Sequence, residues 1–170
     1  MVLGMSLQTF TVLHVIISLV GIGTGFVVVY GMLKASRLPG WTAVFLVTTV
    51  LTSVTGFFFP FEKLLPSHIV GIISLVVLTP TILGLYAFHL AGRWRSVYVV
   101  GSVVALYFNT FVLVAQSFLK IPPLTALAPT GSEPPFAVAQ LLVLVIFIGL
   151  GVLTVRKFHP GLGAPAATPA

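Results

Sequence analysis

The chain has 170 residues, of which 58% are hydrophobic and only 6% charged, with a formal net charge of +6. A soluble domain carries charge on roughly a quarter of its positions, so this composition excludes an ordinary soluble fold and predicts an integral membrane protein. Cysteine is absent, which removes disulfides, thiolate metal sites and cysteine nucleophiles.

The first apolar run covers residues 7–33. The stretch before it, MVLGMSLQTF, lacks a basic n-region and a small-residue cleavage pattern, and the run is too long for a signal peptide, so it is expected to be a retained helix. Lys34 and Arg37 close it, followed by a Pro39-Gly40 break and Trp41, a residue type favoured at the membrane interface. The second run, 41–59, stops at Pro60, and FPFEKLLPSH (59–68) makes a turn to the third run, 67–91. Arg93, Trp94 and Arg95 then form a basic interfacial turn before the fourth run, 97–119.

The connection KIPPLTALAPTGSEPPF is rich in proline and could not satisfy its own backbone in hydrocarbon, so it is expected outside. A fifth run, 136–155, ends in Arg156 and Lys157. Residues 1–158 are read as a single transmembrane helical bundle, and 159–170 as a flexible Ala/Pro/Gly-rich tail.

With five spans, Lys34, Arg37, Arg93, Arg95, Arg156 and Lys157 share one side, and Lys63 and Lys120 the other. The positive-inside rule then sets the N-terminus outside and the C-terminus in the cytoplasm. The basic residues are clustered between apolar runs rather than along one face, so the lipid bilayer is the expected partner and nucleic acid is not.

Aligning ISLV at 17–20 with ISLV at 73–76 also places Tyr30 on Tyr86 and Arg37 on Arg93. This predicts a tandem two-helix repeat, helices 1–2 and 3–4, plus a fifth helix; chance matching within a restricted apolar alphabet stays open as the alternative. The alignment puts Gly21, Thr24 and Gly25 opposite Val77, Pro80 and Thr81, so a helix-weakening stretch falls at the same place in each half. Such matched interruptions point to a solute site, while the plain reading is a small-residue packing face and a tolerated kink.

The substrate-lining candidates are Asn109, Thr24, Thr79, Thr81, Gln116, Gln140 and Glu62, several of them biased toward the outside, where they would line a vestibule. Asn109 is equally suited to interhelical hydrogen bonding, and the threonines to bonding their own helix. His14 and His68 are the candidates for a b-type haem or metal, although no H-x-x-x-H or E-x-x-H spacing supports them. His89 and His159 are read as interfacial and solvated.

Two stretches, TGFFFPFEKLLPSHIVGIISLVVL (55–78) and ALYFNTFVLVAQSFLKIPPLTALAPTGSEPPFAVAQ (105–140), resemble a family of small multi-span bacterial inner-membrane proteins with no assigned activity. The resemblance implies a multi-pass protein of the bacterial cytoplasmic membrane and nothing about mechanism.

Three functional readings follow. The preferred one is permeation or facilitated transport of a small solute or ion; no span carries a charge, so proton coupling through a buried carboxylate is not expected. The second is a haem- or quinone-binding redox protein using the outer-leaflet histidines. The third is an accessory or assembly subunit, working as a homo-oligomer or within a larger membrane complex. No triad, metal motif or phosphate loop can be assembled, so an enzyme is the less favoured class.

Overall fold

The computed structural model describes residues 2–60 and 66–160, with 66 and 67 by backbone alone. Glu62 and Lys63, with half of the FPFEKLLPSH turn, lie outside the described residues, as does the tail from 161. The architecture is all-helical among the described residues: α1 (Leu7–Leu33), α2 (Pro39–Gly56), α3 (Pro66–Ile82) continued by a π-helical segment (Leu83–Ala87), α4 (Arg93–Lys120), α5 (Pro122–Leu127) and α6 (Pro134–Lys157).

Among the described residues four helical stretches are long and apolar enough to cross a membrane: Leu7–Leu33, His68–Ala87, Arg93–Lys120 and Pro134–Lys157. They imply contact with a lipid bilayer. The side chains that would meet lipid are the exposed apolar ones, such as Ile16 and Leu19 on α1 and Leu141, Val145 and Ile148 on α6. In a bilayer these contacts are not penalised, so exposure of large aliphatic residues here is ordinary.

Local sequence sets the helix ends. Ser6 caps α1 by accepting the Thr9 N–H at 3.1 Å. Prolines occupy the first turn of α2, α5 and α6, where no intrahelical donor is needed. The proline-rich connection is more ordered than its composition suggests, because Pro122 and Pro123 start the short α5 and the Thr125 hydroxyl donates to the Phe118 carbonyl at 2.7 Å.

α1 and α2 form an antiparallel pair in contact along nearly the whole of α1. Gly31 packs on Leu38, Gly25 on Phe45 and Gly21 on Thr48. Farther along, His14 bonds Thr55 and Phe10 packs on Phe59. A Cβ on Gly25 would come within 2.8 Å of the Phe45 ring, so the backbone approach requires glycine. α2 itself has 18 residues, about 27 Å of helix, and its turn residues 57–59 extend the contact to Phe10.

The third run departs from its expected end at residue 91. Pro80 cannot donate to the Val76 carbonyl, and the helix widens into the π segment three residues later. The segment is closed by the Phe88 N–H to Leu83 and the Leu90 N–H to Gly84, both at 2.9 Å. His89 and Leu90 adopt left-handed backbone, φ 47 and 62, to make that closure. Phe88 then stacks on Trp94 with ring centroids 4.0 Å apart.

α4 is the central helix. It packs against α1, α3 and α6, and its Val99, Ser102, Ala105 and Leu106 are fully buried. α6 is peripheral and buries only Gln140, Phe147 and Thr154, one residue in seven along a narrow seam.

Candidate functional site

The sequence-derived candidates are dispersed. Asn109 is buried where α1, α2 and α4 meet, with its Nδ2 donating to Thr49 Oγ1 at 3.3 Å beside Gly21. Thr24 and Thr81 are buried, but their hydroxyls donate to carbonyls of their own helices, Val20 and Val77, each at 2.7 Å. Thr79 bonds the Leu75 carbonyl and is exposed. Gln116 is exposed near the end of α4. Gln140 is buried against α4, where its Nε2 donates to the Phe111 carbonyl at 3.1 Å and its Oε1 has no partner among the described residues. Of this set the structure groups only Asn109 with the Gly21 end of the glycine stretch, and it makes that group a packed layer.

The histidines are separated in role. The His14 Nδ1 shares a 2.7 Å hydrogen bond with the Thr55 hydroxyl, and the Phe59 ring meets it edge-on at 5.1 Å. His68 is buried and stacks on Phe57 at 5.8 Å. A phenylalanine ring thus stands beside each imidazole, Phe59 at His14 and Phe57 at His68. Among the described residues no three of His, Asp, Glu or Cys gather as a metal set.

A concavity with polar groups at its rim lies elsewhere, at the end of the bundle where the basic residues collect. A cavity of about 160 Å³ opens there between the α1–α2 turn, the π segment, the start of α4 and the end of α6. Its buried walls are apolar, from Val28, Met32, Leu90 and Phe158, with the hydroxyls of Thr42 and Tyr98 set into them 3.5 Å apart. Its mouth carries the exposed side chains of Arg37, Tyr86 and His89.

Two backbone features shape the mouth. Ala35 in the α1–α2 turn has φ 52, and His89 is held left-handed by the closure of the π segment. Non-glycine residues rarely adopt this conformation, and such strain concentrates at sites with a task. Arg95 fixes the far wall, donating from Nη1 to the carbonyls of Val155 at 3.0 Å and Phe158 at 2.7 Å. A guanidinium on the last carbonyls of α6 satisfies orphan acceptors and complements the helix dipole. Hydroxyl donors and the Arg37 guanidinium over an apolar floor suit a small solute bearing an anionic or strongly accepting group.

Sequence reasoning missed this site because its residues come from five separate elements and His89 reads as an ordinary interfacial residue. The signal that could have found it was Pro80, whose disruption of α3 is resolved only at the cavity wall. Among the described residues the fold is all-helical and suited to a bilayer, with a largely apolar cavity, rimmed by polar groups, at its basic end. Comparison with known proteins returns no match: no family model, curated protein or solved structure is similar to this chain.

Proposed function

We propose that this chain is a five-span facilitator for a small solute or ion, with its solute site in the basic-end cavity. The observation that carries the reading is where the cavity lies. It sits between the two hairpins, α1–α2 and α3–α4, and is lined by Thr42 and Tyr98, which occupy equivalent positions if the hairpins are repeats. A site at the interface of two parallel repeats, beside an interrupted helix, shares those two features with carriers, although it lies toward the end of the bundle and not at its middle.

The repeat itself draws support from packing. α1 packs on α4 as α3 packs on α2. Gly25 meets Phe45 in the first hairpin, and Thr81 meets Gly101 at the aligned positions of the second, with the small residue moved to the other partner. The five-span reading draws support from the contact of α2 along α1 from Leu38 to Phe59, which would carry α2 through a bilayer beside α1. That topology gives a cytoplasmic C-terminus by the positive-inside rule, in keeping with a bacterial inner membrane.

In this reading the solute enters from the cytoplasmic side, and the Gly21, Thr48, Thr49 and Asn109 layer closes the route beyond. The π segment is the element able to rearrange, because its wider turn leaves α3 an alternative α-helical register. Purified protein in liposomes should pass a small solute from a broad panel that includes monovalent anions, and Leu85→Trp, which fills the cavity, should abolish the flux. Flux equal to that of empty liposomes across the panel would overturn the proposal.

A further inference from the structure

A second concavity, about 420 Å³, runs between α4 and α6 and is independent of the solute cavity. Its walls are apolar, with Val100, Val103 and Val104 on one side and Leu144, Ile148 and Val152 on the other. Gly151 makes the indentation. A Cβ added there would meet only Val103, at 3.8 Å, so the backbone contact does not require glycine and the space it leaves is open.

One cation, Arg156, stands at the end of the groove. It is exposed and makes no hydrogen bond or ion pair among the described residues, whereas its neighbour Arg95 is fully engaged with the end of α6. The groove is therefore apolar along its length and positive at one end. A lipid acyl chain matches the first property and an anionic headgroup the second, and basic pockets between transmembrane helices on the cytoplasmic side recognise such headgroups.

We infer that the α4–α6 groove is a binding site for one anionic phospholipid, with an acyl chain over Gly151 and the headgroup phosphate at Arg156. A helix from a second copy would fill the apolar part but would leave Arg156 without a counter-charge, since the only acids in the chain are Glu62 and Glu133, which sequence topology puts at the other end. The lipid would also complete the seam along which α6, with few buried residues, is held to α4.

Native mass spectrometry of the full-length protein released from vesicles of phosphatidylglycerol or phosphatidylcholine tests this. The expected result is one retained phosphatidylglycerol per chain, favoured over phosphatidylcholine by about fivefold, the factor one interfacial cation contributes. Arg156→Gln should remove the preference for the anion. Gly151→Leu should remove retention of both lipids, and Gly151→Ala should weaken it if the larger variant does not fold. Equal retention of the two lipids, or an unchanged preference in Arg156→Gln, or a lipid-free dimer that Gly151→Leu dissociates, would overturn the assignment.

Discussion

Thr81 on α3 lies directly against Gly101 on α4, so closely that a methyl group on Gly101 would overlap the threonine hydroxyl. That hydroxyl is committed to the Val77 carbonyl at 2.7 Å and is fully buried, so it cannot swing into solvent. Gly101→Ala is expected to destabilise the fold by about 1–3 kcal/mol through overpacking. Thr81→Ala should recover part of that loss in the double mutant, giving a favourable coupling in thermal denaturation in detergent. Independent, additive effects would show that the two helices do not meet at these residues.

Asn109 and Thr49 join α4 to α2 through a single neutral hydrogen bond in the layer beside Gly21. Interhelical bonds of this kind contribute about 0.6 kcal/mol on average, because the separated helices find other partners. Asn109→Ala and Thr49→Ala should each lower stability modestly, with a coupling of about that size. If the layer is the closed end of a solute route, Asn109→Ala should also raise flux in liposomes.

Arg95 holds the end of α6 through two charge-assisted hydrogen bonds, and Phe158 beyond it is buried against Tyr98. Arg95→Gln is expected to lose about 1.5–3 kcal/mol of that attachment. The consequence is local: faster tryptic cleavage at Arg156 and Lys157, with α1 and α2 unaffected. Arg95→Lys should restore little, because an ammonium cannot reproduce the guanidinium fork.

Glu133, at the surface before α6, is held at about 2 against an ordinary value of 4.5, chiefly by the backbone N–H of Thr130 and also by that of Ser132. Both donors lie 3.0 Å from the carboxylate oxygens. Because the folded value is depressed, the stabilisation of this turn is present above about 4.5 and is lost as pH falls through about 2. Carbon NMR of the labelled carboxyl group should therefore show a midpoint near 2. A midpoint near 4.5 would mean that the turn does not hold the carboxylate.

The α1 boundaries, the break at Pro80 and the clustering of Arg and Lys at one end could be read from the sequence because each has a local cause: chain length, a missing donor, interfacial charge. The facing of the helices could not. α1 and α6 are apolar all round and carry no stripe to say which side is inward. Hence Asn109 could be placed within a span but not against Thr49, and Arg95 reads as a topology signal although it also caps α6. The cavity was invisible for the same reason: Thr42, Tyr98 and Phe158 converge only through tertiary packing.

The account rests on α2 crossing the bilayer with α1, because the two-hairpin carrier and the sidedness of its cavity both depend on it. The chain lacks cysteine, so single cysteines can be introduced without background. Ser36→Cys lies in the α1–α2 turn and Thr130→Cys between α5 and α6, with α2, α3 and α4 between them. A membrane-impermeant thiol reagent applied to oriented vesicles should label these two positions from opposite faces, Ser36→Cys from the cytoplasmic one. Labelling of both from the same face would mean that α2 does not span, and would contradict the account.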